Sequence, residues 1–445
     1  MVISLMEDVK QLWLFHQHNI FIYAAIMILV SLLYMATRPS TIYLLDHCCY
    51  RGQPHQKARF HQFMEHSSKV DDFHESSLEF QRRILERSGI GEETYVPSGM
   101  CEIPPCMSLA FAREEAHQVI FGALDSLFLK TSINPKDIGI LVINCSLFNP
   151  IPSLSSMIIN KYKLSKTIKN FTLSGMGCSA GIISIGLARD LLRIHRTTSY
   201  AVVVSTENIT QNWYFGNNKS MLIPNCLFRV GGAAILLSNN SGDRRRAKYK
   251  LLHVVRTHHG DDDKSFYCIH QDQDKDGKVG ISLSKDLTWI AAEALKANLT
   301  TLGPLVLPIR EQLYFITVWV RRMLLGDKVR PYVPDFKLAF MHFCIHAGGK
   351  ALIDKVRKEL RLLAVHVEPS RMTLHRFGNT SSSSIWYELA YIEAKRRMRK
   401  GHRVCQLSLG SGFKCNNAVW EALSDIKPTP TVPWDDCIHR YPVET

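Results

Sequence analysis

A thiol, an imidazole and a carboxamide stand in this chain beside small residues, each at the expected end of an element. Cys178 lies in Gly175-Met-Gly-Cys-Ser-Ala-Gly181. A short strand-like run, 171–174, precedes it, and Ile182, Ile183, Leu187, Leu191 and Ile194 follow at helical spacing. That pattern predicts a helix whose N-terminus carries the cysteine. Unpaired N–H groups and the positive end of the helix dipole there favour the thiolate, the form that attacks carbonyls, and the small flanking residues admit a substrate. An inert buried cysteine is the competing reading. His346 is delivered at the end of a buried strand within 340–349, ahead of a helix over about 350–362, and Asn379 precedes a long helix that runs to about Lys400. Nucleophile, imidazole and amide at element ends form a catalytic set. Taken singly, a histidine at a strand end is more often a hydrogen-bonded core residue.

The elements that must position these groups occur twice. A helix over 177–194, a polar link over 196–199 and the strand Tyr200-Ala-Val-Val-Val-Ser205 are matched by a helix over 381–400, the link Gly401-His402 and a strand over 403–409. The strand over 138–144, with a turn and a helix over 153–162, parallels the strand before His346 and its helix. The fold class is therefore α/β, a duplicated unit with Cys178 and Asn379 at equivalent positions. In such sheets, sites form at the carboxyl ends of strands.

The 445 residues, 46% hydrophobic and 21% charged, can bury a large core. The chain divides into an N-terminal segment 1–19, a transmembrane helix 20–36, a half 37–265 with the nucleophile, a half 266–427 with His346 and Asn379, and a tail 428–445. Segment 20–36 is uncharged and near the minimum length for a bilayer span; Thr37-Arg38-Pro39 behind it does not resemble a signal-peptide cleavage site. Lys10 before it is offset by Glu7 and Asp8, whereas Arg38, Arg51, Lys57 and Arg59 follow, which places the catalytic domain in the cytosol. The formal charge of +14 comes without a nucleic-acid motif, so an anionic membrane and anionic substrates are the expected partners and nucleic acid is not. Sequons at Asn208 and Asn298 would go unused on the cytosolic side.

Twelve scattered cysteines in a cytosolic domain are expected to be reduced, with no zinc-type spacing; palmitoylation at Cys48 and Cys49 is an open alternative. Asp272-Gln-Asp-Lys-Asp-Gly277 opens like a calcium loop, but the twelfth position is Leu283 rather than Glu, which favours a solvated acidic turn. The run 313–325 is apolar but interrupted by Arg321 and Arg322. It should not cross a bilayer, and reads as an interfacial helix, a wall of an acyl tunnel or a core-facing helix. The Pro-punctuated tail carries no evident chemistry.

Several blocks in one order make the chain similar to the plant 3-ketoacyl-CoA synthases, condensing enzymes of very-long-chain fatty acid elongation in the thiolase-like superfamily that includes chalcone synthases. Besides the Cys178 block they are Leu85-Glu-Arg-Ser-Gly-Ile-Gly-Glu-Glu-Thr-Tyr95, Val204-Ser-Thr-Glu-Asn-Ile-Thr210, Asn225-Cys-Leu-Phe-Arg-Val-Gly-Gly232, Phe343-Cys-Ile-His-Ala-Gly-Gly349, Gly378-Asn-Thr-Ser-Ser-Ser-Ser384 and Gly410-Ser-Gly-Phe-Lys-Cys-Asn416. The resemblance implies a layered αβαβα fold with an N-terminal membrane anchor. The family nucleophile, histidine and asparagine match Cys178, His346 and Asn379, and further family histidines match His258, His342 and His375.

The implied reaction acylates Cys178 from a long-chain acyl-CoA, decarboxylates malonyl-CoA and joins the two into a 3-ketoacyl-CoA. His346 and Asn379 suit the enolate oxygen, and backbone N–H groups of Cys178 and of the Gly410-Ser-Gly412 turn suit the second oxyanion. No redox cofactor or metal is required. A homodimer in the endoplasmic reticulum membrane, working with ketoacyl-CoA reductase, dehydratase and enoyl-CoA reductase, is implied with it. Relatives carry two membrane helices where this sequence shows one, an acidic residue at the position of Met341 and an Asp at that of Gly186. A papain-like protease, a polyketide synthase of the chalcone synthase type and a non-catalytic elongase scaffold are the alternatives.

Overall fold

The computed structural model describes residues 22–24, 26–30, 40–195, 199–326, 332–428 and 433–444. Met1–Thr41 and Ile42–Thr445 are separate compact units. In the first, 22–24 and 26–30 are helical and exposed, and the remainder of the expected span 20–36 lies outside the described residues. Among the described residues no helix is long and apolar enough to cross a membrane.

In the second unit, strands that are mostly apolar, β-branched runs buried on both faces form a central nine-stranded mixed sheet, with Lys169–Leu173 at its edge left partly exposed. In chain order its first six strands are β1 (Tyr43–Cys49), β2 (Ile138–Asn144), β3 (Lys169–Leu173), β4 (Tyr200–Thr206), β5 (Gly232–Ser238) and β6 (Tyr249–His258). A separate hairpin, β7 (Ile269–Gln273) and β8 (Val279–Leu283), precedes the last three, β9 (His342–Ile345), β10 (Arg403–Gly410) and β11 (Lys414–Ala422). The order across the sheet is β9-β10-β11-β6-β1-β5-β4-β2-β3.

The duplication is visible in the pairing. In one half β2 runs parallel to β4, β4 antiparallel to β5, and β5 antiparallel to β1. In the other, β9 runs parallel to β10, β10 antiparallel to β11, and β11 antiparallel to β6. β3 extends the first half alone, and the halves join where Tyr43 and Leu44 pair with Lys250 and Tyr249. Strand β6 therefore belongs to the second half although it lies within 37–265, because its register partners are in β11.

The helices that matter here are α1 (Leu109–Thr131), α2 (Leu154–Tyr162), α3 (Ala180–Ile194), α4 (Leu287–Val306), α5 (Ile309–Leu325), α6 (Lys350–Glu359), α7 (Ala364–Phe377) and α8 (Ser384–Ala394). α3 packs on β2 and β4 and also on β10 and β11, while α8 packs on β9 and β10 and on β1 and β5, so these two form a central layer. α1 and α2 cover the outer face of the first half and α4 that of the second, which gives the expected αβαβα layers. α8 is buried at every position from Ser384 to Glu393, as a helix packed between the two halves of the sheet must be.

The second unit bears on several expectations. Cys48 and Cys49 are buried in β1, so neither is open to palmitoylation, and all twelve cysteines are free thiols. The sequon asparagines are buried too: Asn208 Nδ2 donates to Ala112 O (2.9 Å) and Asn298 Nδ2 to Cys415 O (2.7 Å). The acidic turn closes the β7–β8 hairpin, with Asp274 Oδ1 accepting from the N–H groups of Asp276 and Lys278. Among the described residues no cluster of His, Cys, Asp or Glu is arranged to hold a metal. The tail is docked rather than idle. Trp434 is fully buried and donates Nε1–H to Tyr387 O in α8 (2.9 Å).

Candidate active site

Cys178 is the middle residue of a 3-10 turn, Gly177–Ser179, that leads into α3. The turn requires Gly177. Its φ is +65°, and a Cβ there would lie 2.6 Å from both N and Oγ of Ser411 in the β10–β11 turn. The corresponding turn before α8 is Ser381–Ser383. The counterpart of Cys178 by topology is thus Ser382, and Asn379 precedes it by three positions, a correction to the expected equivalence. The two turns meet at the centre of the molecule, where a Cβ on Gly181 would strike Ser382 O at 2.6 Å. Ser382 Oγ donates to Asn144 Oδ1 (2.6 Å), locking the second turn to the end of β2.

Cys178, His346 and Asn379 line one cavity of about 330 Å³. Phe266, Ile269, Ile281, Leu283, Leu287 and Leu352 form an apolar wall, so the β7–β8 hairpin contributes to the site. Ser411 and Gly412 of the β10–β11 turn line it as well. The run 313–325 does not.

Hydrogen bonds orient the side chains of Asn379 and His346. Asn379 Oδ1 accepts from Ser381 N–H (2.8 Å), which leaves the amide's Nδ2 protons for the cavity side; the contact of Nδ2 with Gly348 O is long, at 3.4 Å. His346 Nδ1 lies 2.7 Å from Ser384 Oγ, and that hydroxyl already accepts from Ala347 N–H (3.3 Å). The Ser384 proton is therefore directed at Nδ1, which assigns the ring proton to Nε2. Burial alone lowers the His346 pKa to about 4, so the ring is neutral at physiological pH.

The nucleophile departs from expectation. Burial pushes Cys178 up to about 12, Ser381 opposes the shift, and the Glu207 carboxylate adds to it. The thiol, not the thiolate, is the resting form despite the helix N-terminus, because desolvation of the anion outweighs the dipole. Ser381 Oγ is 3.5 Å from Cys178 Sγ and 3.2 Å from Glu207 Oε2. The other oxygen of Glu207 accepts from the N–H groups of Ser146 (3.0 Å) and Leu147 (2.9 Å) and from the Cys145 thiol (3.4 Å). Burial raises the pKa of Glu207. Sequence reasoning passed over Glu207, Ser381 and Ser384. An acidic residue directly after the apolar strand β4, and hydroxyls in the turn before α8, were the available signals.

The other three histidines are not brought to the cavity. His258, at the exposed end of β6, accepts at Nδ1 from Gly260 N–H (2.9 Å). His342 begins β9, the end opposite His346, and pairs its Nε2 with His402 Nδ1 (3.1 Å). His375, in α7, pairs Nδ1 with the Tyr441 hydroxyl (3.1 Å) and packs on Gly91.

Comparison with known proteins fits this geometry. Two family models match: FAE1/type III polyketide synthase-like protein over residues 34–324, and the C-terminal part of 3-oxoacyl-(acyl-carrier-protein) synthase III over 339–422. The Arabidopsis thaliana protein 3-ketoacyl-CoA synthase 4 is 64% identical over 98% of this chain and 85% of its own length, and 3-ketoacyl-CoA synthase 9 of the same plant is 63% identical over 98% and 86%. Among solved structures, the fungal type III polyketide synthase ORAS superposes with a TM-score of 0.66 at 17% identity, covering 86% of this chain and 99% of that one. A polyketide synthase of the brown alga Ectocarpus siliculosus gives 0.66 at 16% identity, covering 87% and 99%. These two likenesses establish the thiolase-like fold alone.

Proposed function

The chain belongs to the 3-ketoacyl-CoA synthase family, and from that membership we infer that it condenses a long-chain acyl-CoA with malonyl-CoA, releasing CO2 and coenzyme A and giving a 3-ketoacyl-CoA two carbons longer. The observation that carries the residue roles is the convergence of Cys178, His346 and Asn379 on one apolar-walled cavity.

Cys178 Sγ attacks the acyl thioester; the C–S bond to coenzyme A breaks and the acyl group remains on the protein. The thiol must lose its proton first. Ser381 carries one hydroxyl proton between two acceptors, the sulfur and Glu207 Oε2. With the thiol intact, Ser381 donates to the carboxylate and accepts from S–H. On ionisation the proton passes to Glu207 and Ser381 turns to donate to the sulfur, so the buried pair keeps a single negative charge throughout. Malonyl-CoA then loses CO2, and negative charge gathers on the thioester oxygen. His346 Nε2–H and Asn379 Nδ2–H are the donors for that enolate. Its carbon attacks the acyl-cysteine, whose tetrahedral oxygen falls to the backbone N–H groups of Cys178 and the Ser411 turn. The C–S bond breaks and the cysteine is regenerated. No electrons are gained or lost overall, so the chemistry calls for neither a redox cofactor nor a metal.

Segment 20–36 anchors the protein in the endoplasmic reticulum membrane with Ile42–Thr445 in the cytosol, where both thioesters are found. This rests on the charge asymmetry around the segment. The 3-keto product requires reduction, dehydration and a second reduction to become a saturated chain. The corresponding three enzymes are the expected elongase partners, and a homodimer is the expected assembly. The enzymatic reading is tested by incubating the full chain in microsomes with acyl-CoAs of graded length and labelled malonyl-CoA. Labelled 3-ketoacyl-CoA should form with wild type and not with Cys178→Ala, which should stay folded. Elongation by a folded Cys178→Ala protein, or none by wild type on any chain length, refutes it, the latter in favour of a scaffold.

A further inference from the structure

Helix α5, Ile309–Leu325, has no buried residue, although most of its side chains are apolar. The pattern is organised. Ile309, Leu313, Ile316, Val320, Met323 and Leu324 recur at intervals that place them on one face, and they are held in water: Ile309 is 75% exposed, Met323 68% and Leu324 79%. Trp319 and Gln312 border this stripe on one side, and Arg310 and Arg321, both exposed, on the other. The helix is fastened to the body near its start. Glu311 accepts from the Tyr332 hydroxyl and from Asp335 N–H, and Gln312 Nε2 donates to Leu307 O (2.8 Å). The stripe itself faces away.

A soluble surface rarely leaves so continuous an apolar patch uncovered. Two features choose the occupant. Cations on the shoulder of an apolar face with tryptophan at its border are the pattern of a helix lying in the plane of a bilayer interface, and the chain's formal charge of +14 favours an anionic surface. Seventeen residues containing two adjacent arginines are unsuited to crossing it. We propose that α5 lies in the headgroup region of an anionic lipid bilayer, its stripe turned to the acyl chains and Arg310 and Arg321 to the lipid phosphates. This contact is separate from any anchoring by 20–36 and does not depend on the synthase reading.

The test uses the full chain in phosphatidylcholine vesicles containing a photoreactive phosphatidylcholine, with and without phosphatidylserine, followed by mass spectrometry of the fragment covering 309–325. Lipid adducts should concentrate on that fragment relative to other exposed body fragments, and phosphatidylserine should increase them. Arg310→Gln with Arg321→Gln should remove that increase, a change of about 30-fold at roughly 1 kcal/mol per cation. Leu313→Gln with Ile316→Gln and Val320→Gln should abolish the adducts while the urea midpoint of the protein in detergent stays at the wild-type level. Adducts on 309–325 no more frequent than on the remaining surface overturn the proposal. So does crosslinking of that fragment mainly to a second copy or to another protein.

Discussion

Ser381 Oγ stands 3.5 Å from Cys178 Sγ across the seam between the two halves, and the same hydroxyl lies 3.2 Å from Glu207 Oε2. The nucleophile is thereby hydrogen-bonded to a serine that faces a carboxylate. Ser381→Ala should slow acylation of Cys178 by about 10- to 100-fold, the loss expected for a hydrogen bond to a developing charge of roughly 1.5–3 kcal/mol. Asn379 remains in place in this variant, because its partner is the Ser381 backbone N–H. Single-turnover acyl transfer from labelled acyl-CoA, resolved from malonyl-CoA decarboxylation, checks the assignment. Equal losses in both steps would reject it.

Glu207 raises the Cys178 pKa, and Glu207→Gln removes that negative neighbour. The iodoacetamide alkylation profile of Cys178 should shift to lower pH while acyl transfer at neutral pH falls, since the proton has lost its acceptor. A merely structural role would move neither the profile nor the balance between the two measurements.

Asn379→Ala removes a donor to the enolate but leaves the thiol untouched. Decarboxylation of labelled malonyl-CoA should fall by about 100- to 1,000-fold, with Cys178 still acylated. Release of labelled CO2 at the wild-type rate would exclude the role.

His346 and His47 are buried and neutral, each lowered by burial to about 4. The unfolded chain protonates both below about 6.5, and the folded state resists until about 4. Each therefore withdraws about 1.4 kcal/mol of stability per pH unit as pH falls through that window. Asp46 and Glu393 act in the same direction at more acid pH. Burial raises both, but the neighbouring cations, Lys248 at each and Lys130 at Asp46, together hold them below the ordinary carboxylate range. Buried Glu115, Glu207 and Glu388, raised by burial, act in the opposite direction over the same window. The histidine share is therefore read by difference: the urea midpoint of His47→Phe should fall less between pH 6.5 and 4 than that of wild type, whereas condensation should show no inflection from His346 between pH 6 and 8.

Lys248 Nζ lies 2.8 Å from both Asp46 and Glu393, with 12% of its side chain exposed. Lys248→Met should cost about 3–5 kcal/mol, because it leaves the buried Glu393 carboxylate without its cation, while Asp46 keeps Lys130 at 3.0 Å. Adding Glu393→Gln should recover much of that. A single-variant urea midpoint equal to wild type would show the cluster to be inert.

Much of this architecture was legible in the sequence because strands such as 138–144 and 200–206 are unbroken apolar runs, and because the helix–link–strand order repeats. The gathering of Cys178, His346 and Asn379 followed from their places at element ends. What escaped was set by three-dimensional burial. The Cys178 thiol is raised because burial disfavours its anion, which no local spacing reveals, and Glu207 gains its significance from Ser381, far along the chain. Asn208 and Asn298 satisfy the sequon pattern yet spend their amides on buried carbonyls. The tail, rich in proline and silent by pattern, supplies Trp434 to the packing of α8.

That last contact sets an order of events during synthesis. The nucleophile's turn leaves the ribosome first, but its partner Ser381 follows 203 residues later, about 10 to 40 s at ordinary translation rates. Helix α8, which Ser381–Ser383 precedes, carries Tyr387, and that residue's carbonyl waits for Trp434, a few residues from the end of the sequence. A nascent chain short of this point thus holds Cys178 and Glu207 without the Ser381 hydroxyl that bridges them, and the relay is complete only once the second half has been made.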